Sequence, residues 1–300
     1  MNEAIVGRLI ELRNADGGWG TTAARPSGTE PTALACMAMA ATDRAAGAGA
    51  AASWLVARQR PDGAWPVVEG VPEPGWATSL AALALLDRTE TAAAAHRAVE
   101  WLIGERGIGV PLKVRIAEFF REPKTTALDP TIRGWPWATG TFSWIEPTAY
   151  AMIALRRGWP ADPPPAVRDR LDEGRRMIHD RECPGGGWNF GNKKVLGVDM
   201  EPYPDSTALA LLALGAVRDE SAHVERGFAA LDVLLETTRS GLALSLAILC
   251  YREWARDTTG LLAPLEAAFE RTGFLDDVRS LGLATLALAD GPIPLMVNAR

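Results

Sequence analysis

The sequence predicts an all-α single domain spanning residues 1–300, built from six helical pairs. Strand signals are nearly absent, since no stretch alternates Val, Ile or Thr with polar residues over a useful length. Six alanine- and leucine-rich segments, each opening on a small hydroxyl residue, are apolar almost all round, the mark of a buried helix. Six amphipathic segments with charges on one side lie between them. Alternation of this kind signals stacked helical pairs.

The elements follow in order. The amphipathic stretch 2–13 leads to a buried helix from Thr32, with Leu34, Cys36, Met37 and Met39. Residues 46–59 lead to the buried segment from Thr78. Residues 91–105 set Val99, Trp101 and Leu102 among His96, Arg97, Glu100 and Glu105, ahead of the segment from Thr148. Prolines 163–165 form a short break before the amphipathic stretch 165–180, whose buried partner starts at Thr207. Stretches 221–237 and 259–271 pair with buried segments from Ser240 and Ser280. The buried starts are separated by 46, 70, 59, 33 and 40 residues, so the connections differ greatly in length. The longest, Gly107 to Ser143, carries Phe119, Phe120, Trp135, Trp137 and Phe142, and long insertions with their own aromatics are commonly functional.

Composition narrows the function classes. Apolar residues make up 48% and charged residues 23%, a globular balance. The net charge is −6, from 37 acidic and 31 basic side chains, which argues against a nucleic-acid partner. No uncharged apolar run reaches the roughly 18 residues of a membrane span, although peripheral contact stays open. Met1, Asn2 and Glu3 lack the basic start of a secretory signal, and Cys36, Cys183 and Cys250 are too scattered for a disulfide framework. A cytoplasmic protein with reduced, interior cysteines is expected. His96, His179 and His223 all fall in amphipathic segments, no Cys/His spacing suits zinc, and neither metal nor cofactor is expected.

A glycine stands two residues before tryptophan at Gly17 and Trp19, Gly63 and Trp65, and Gly186 and Trp188. Glycine after a helix supplies a left-handed turn, and the indole then folds back over the helix end. Trp54, Leu55, Gln59, Gly63 and Trp65 together resemble the QW repeat of squalene and oxidosqualene cyclases. The Trp188 copy has Glu182 at the glutamine position and the Trp19 copy has Arg13. Through its six helical pairs the whole chain resembles the terpenoid cyclase and protein prenyltransferase superfamily. That resemblance implies an α/α toroid, with six inner helices ringed by six outer ones.

The same resemblance implies acid-initiated cyclisation of an isoprenoid-type substrate in an apolar central cavity. Tyr203, Pro204, Asp205, Ser206, Thr207 and Ala208 align with the Asp-x-Asp-Asp-Thr-Ala run of class II terpene cyclases, with both flanking aspartates replaced. Asp205 is then the candidate proton donor, Asp199 and Glu201 are proton suppliers, and Trp137, Trp144, Tyr150 and Tyr203 are cation-stabilising, substrate-binding rings. A lone aspartate at a helix start is otherwise an ionised helix-start residue, as Glu30, Glu146 and the Asp276–Asp277 pair also read. Glu30, Glu146, Asp205 and Asp276 are expected to converge on one rim of the ring, because parallel inner helices start there. A self-dimer or a partner chain would have to close the cavity, and Lys193 and Lys194 meet either a diphosphate or solvent. The alternative is a non-catalytic scaffold that holds a lipid or a peptide.

Overall fold

The computed structural model of the chain describes residues 1–68, 70–109, 128–129 and 131–297; Phe119 and Phe120 lie outside them. In chain order the helices are α1 (Asn2–Glu11), α2 (Thr29–Ala41), α3 (Ala45–Ala57), α4 (Ala77–Leu86), α5 (Ala92–Gly104) and α6 (Ile145–Gly158). There follow α7 (Pro165–Asp180), a hairpin of β1 (Lys194–Val195) and β2 (Val198–Asp199), and α8 (Pro204–Ala216). The series ends with α9 (Ala222–Thr237), α10 (Gly241–Glu253), α11 (Thr259–Thr272) and α12 (Val278–Leu288). The even-numbered helices form the inner ring, each packed on the next, and α12 packs back on α2. The odd-numbered helices lie outside, with α1 on α12 completing the circle. The architecture is a closed α/α toroid, as expected.

Inner and outer helices differ as their sequences require. Every residue from Ser206 to Ala216 of α8 and from Pro31 to Met39 of α2 is buried. Outer helices bury one stripe, such as Val167, Leu171, Gly174, Met177 and Ile178 of α7. Alanines among the leucines let the inner helices approach closely, and almost all of their described side chains are buried. No described helix is long and apolar enough to cross a membrane. The three cysteines are free and buried, and burial pushes the Cys36 thiol up to about 12.

The tryptophan turns stitch the pairs together. The indoles of Trp19, Trp65 and Trp188 donate to the carbonyls of Leu9, Leu55 and Ile178, each at 2.7 Å, in the last turns of α1, α3 and α7. Their backbone N–H groups donate to the hydroxyls of Thr32, Thr78 and Thr207 at 2.9–3.0 Å. Trp135 repeats both bonds, to Leu102 at 2.9 Å and to Thr148 at 3.0 Å. It is a fourth copy with no glycine two residues ahead. The threonines are thus not helix caps: α2, α6 and α8 begin at Thr29, Ile145 and Pro204, and the hydroxyls inside the first turns hold the tryptophan loops. Ser240 does cap α10, and Asp277 caps α12 by accepting from the Ser280 N–H at 2.8 Å. The Gln59 amide donates to the carbonyls of Gly63 (2.9 Å) and Ala94 (2.8 Å), tying α3 to α5.

Gly63 sits at φ +93°, and a Cβ there would lie 2.5 Å from the Arg97 carbonyl oxygen. Gly63→Ala combines left-handed strain with a backbone clash. It should destabilise the protein by about 1–3 kcal/mol, read as a shift in urea midpoint. Gly7→Ala, on α1 with open space around it, is the control.

Candidate functional site

The parallel inner helices bring their N-termini to one rim, where backbone bonds lace the loops. Thr29 N–H donates to Val67 (3.0 Å), Trp76 to Trp137 (3.2 Å), Ile145 to Phe190 (3.0 Å) and Val278 to Thr21 (2.9 Å). Arg279, in the first turn of α12, reaches across this rim. Its Nη2 lies 2.5 Å from Glu146 Oε1 and its Nε lies 3.6 Å from Glu30 Oε1. The three side chains are only 24%, 14% and 15% exposed respectively. A one-turn run of left-handed backbone, Gly273 to Asp276 with φ between +52° and +58°, sets the position of α12. Arg8 pins that run with a two-pronged pair on Asp276, each contact 2.6 Å. Asp276 therefore faces α1 and not the rim, contrary to expectation. Its neighbour Asp277 is the residue whose charge reaches Glu30.

Two carboxyls beside one guanidinium in a buried site each raise the other's pKa, and the guanidinium opposes that rise. Burial pushes the Glu30 carboxyl up to about 7; Arg279 opposes the rise, and Glu146 and Asp277 add to it. Burial also raises Glu146, with the close Arg279 contact opposing and Asp205 adding. Arg279 stays protonated despite burial because Glu146, Tyr150, Glu30 and Asp205 surround it. Tyr150 is fully buried beneath this group, and its hydroxyl is raised by burial. Tyr150 Oη, Glu30 Oε1 and Arg279 Nε are all buried without a hydrogen-bond partner. The site can hold one proton beside a fixed positive charge.

The sequence-predicted residues distribute unevenly. Asp205 lies half-buried in the first turn of α8, close enough to Glu146 and Arg279 to act on both. Asp199 lies on the hairpin, where β pairing sets it opposite Lys194, and the two side chains pair at 2.6 Å. Glu201 is exposed on the following loop. The structure thus sets Asp205 near Glu146 and Arg279, while Asp199 pairs with Lys194 and Glu201 is exposed. Lys193 pairs with Asp180 at 3.5 Å, so both lysines already face carboxylates. Trp137 meets Trp76 edge-on at 4.9 Å, and Trp76 stacks on Tyr150 at 6.1 Å. Tyr203 is exposed against Phe190, ring centres 5.1 Å apart, while Trp144 is the half-buried residue before α6. Sequence reasoning missed Arg279, Trp76 and the pairing role of Glu30 and Glu146.

No protein-family model and no curated protein matches the chain. Solved structures do match its fold. The endo-β-1,4-glucanase CMCax from Acetobacter xylinum aligns over 96% of this chain and 97% of its own, with 13% identity and a TM-score of 0.63. An α-amylase from Clostridium perfringens aligns over 96% and 97%, with 10% identity and a TM-score of 0.61. Endoglucanase Cel10 from Klebsiella pneumoniae, a family 8 glycosyl hydrolase, aligns over 95% and 97%, with 14% identity and a TM-score of 0.59. These similarities establish the α/α toroid, a fold class shared with terpenoid cyclases, and show no cyclase family. The terpene (squalene) cyclase reading, with its isoprenoid ligand and isomerase chemistry, is corrected on this finding. So is its alternative of a lipid- or peptide-binding scaffold, since the structural neighbours that align over nearly their whole length include endoglucanases and an α-amylase.

Proposed function

We propose that the N-terminal rim is the active centre of a glycoside hydrolase acting on a glucan. The observation that carries the reading is the buried Glu30 carboxyl, held at about 7 beside the Arg279–Glu146 pair. Hydrolysis of a glycosidic bond needs an acid that is still protonated at working pH and a second carboxylate that is not. Glu30 fills the first role and gives its proton to the leaving oxygen. Asp205, on the solvent side of the same rim, is the base that takes a proton from the attacking water. Glu146 is the counter-charge: it neutralises Arg279 and so leaves Glu30 free to keep its proton. Trp137, backed by Trp76, and the exposed Tyr203–Phe190 pair offer ring faces for pyranose units. The endoglucanases and the α-amylase of the same fold support a glucan as substrate.

The test is release of reducing ends from carboxymethyl cellulose, mixed-linkage β-glucan and soluble starch between pH 5 and 8. Activity should fall as Glu30 loses its proton, giving an alkaline limb near 7. Asp205→Asn should lower kcat by about 10²–10⁴ with helix content unchanged. Absence of cleavage of all three glucans, or full activity in Asp205→Asn, would refute the assignment.

A further inference from the structure

The Gly63–Trp65 and Gly186–Trp188 turns occupy equivalent places in two repeats but are clamped by different chemistry. In the first, Gln59 donates to the Ala94 carbonyl, and Arg97 lies three residues on and bonds back to Gln59. Glu182 takes the place of Gln59, and His223 and Arg226 take the places of Ala94 and Arg97. Glu182 accepts from His223 Nδ1 at 2.6 Å and from Arg226 at 2.6 Å and 2.8 Å. A second imidazole, His179, stacks on His223 with ring centres 4.0 Å apart and planes 17° from parallel. His179 Nε2 lies 2.7 Å from Asp219 Oδ2. An amide clamp does not titrate; this one does.

We propose that His179 and His223 form a proton-operated clasp between α7 and α9, which loosens the segment from Cys183 to Tyr203 when the pH falls below neutral. The distances fix the starting state. A ring nitrogen 2.6–2.7 Å from a carboxylate oxygen must carry hydrogen, so His179 donates from Nε2 and His223 from Nδ1. Further protons can therefore enter only at His179 Nδ1 and His223 Nε2, and they convert two stacked neutral rings into two stacked cations. Asp219 and Glu182 compensate a first added proton. A second is opposed by the other imidazolium, by Arg175 at 3.9 Å from Asp219 and by Arg226 on Glu182. In the adjoining cleft Lys193 and Lys194 are paired with Asp180 and Asp199 and add no net charge, so the balance of the clasp is set by the two imidazoles, their carboxylates and the two arginines. Burial, and then His223, already hold the His179 imidazole below its ordinary value. A depressed base destabilises the folded clasp as pH drops through its range. The segment it guards runs from the tryptophan turn through the hairpin to the start of α8, so the device reaches Asp205 at the rim.

The experiment is hydrogen exchange by mass spectrometry on the full chain at pH 7.5 and 5.5, expressed as protection after correction for intrinsic exchange rates. Protection of residues 183–203 should fall at least tenfold at pH 5.5, while that of residues 60–66 beside the Gln59 clamp stays unchanged. The double variant Glu182→Gln with His223→Ala rebuilds the amide clamp and should shrink the difference to what His179 alone contributes on Asp219. Equal protection of 183–203 at both pH values, or the same pH dependence in the double variant, would overturn the proposal. Should the double variant not fold, proton NMR of the wild-type imidazoles decides. Two separated macroscopic steps are expected, and two independent titrations at the ordinary histidine value would overturn it.

Discussion

Trp65→Ala should lower the unfolding free energy by about 3–5 kcal/mol, the usual cost of removing a buried aromatic that its surroundings cannot replace. The ring is fully buried. Its N–H occupies the Leu55 carbonyl at 2.7 Å, and its backbone N–H takes the Thr78 hydroxyl at 3.0 Å. The loss therefore combines a cavity with a loosened joint between the end of α3 and the start of α4. Collapse into the gap is hindered, because Gly63 is wedged against the Arg97 carbonyl and Gln59 anchors the turn to α5. Trp65→Phe separates the two contributions: it keeps most of the apolar area and gives up the indole bond, so about 1–2 kcal/mol should suffice. Urea unfolding followed by far-UV circular dichroism reads both. A Trp65→Ala loss below 1 kcal/mol would mean that the joint is held by the threonine and glutamine bonds alone.

The legibility of this fold follows from where its signals lie in the chain. Helices α2, α4 and α8 announce themselves because burial on almost all sides leaves mainly Ala, Leu, Met and small hydroxyls after their first turns. The roles of those hydroxyls are a different matter. Thr32, Thr78, Thr148 and Thr207 read as helix starts from local propensity, yet their partners are tryptophan backbones 13 or 19 residues upstream. Trp135 escapes notice as a fourth copy because 33 residues, not 10, separate it from the carbonyl it caps. The rim is harder still. Glu30 and Glu146 sit in first turns, where an acid is ordinarily explained by the helix dipole. What changes their meaning is Arg279, 249 and 133 residues away in sequence and brought between them only by ring closure. No periodicity or spacing encodes such a contact. Even the register of the acids at the start of α12 depends on the left-handed turn, which assigns Asp276 to Arg8 and Asp277 to the helix.

Glu30→Gln should make the protein more stable at pH 8 and nearly inactive. The carboxyl has a pKa of about 7 in the folded state against an ordinary value of 4.5. The folded protein thus binds this proton more tightly than the unfolded chain does. Its contribution to stability is complete below about pH 4.5 and is lost as the pH rises through 7. Above that range an ionised Glu30 costs about 3 kcal/mol relative to a neutral group of the same shape. The amide removes that cost, so the variant should gain about 3 kcal/mol at pH 8 and less than about 1 kcal/mol at pH 5. The His179 pair acts in the opposite sense across this range, and only the difference between variant and wild type isolates Glu30. Turnover should fall by about 10²–10⁴, since Gln cannot deliver a proton to the leaving oxygen. The two results constrain each other. A variant less stable than wild type at pH 8 would show that Glu30 is an ionised partner of Arg279, as Glu146 is, and therefore no acid. Gained stability with unchanged turnover would confirm the raised carboxyl but move the chemistry elsewhere. Gained stability with lost turnover is the outcome expected of a group kept in an unfavourable place for its function.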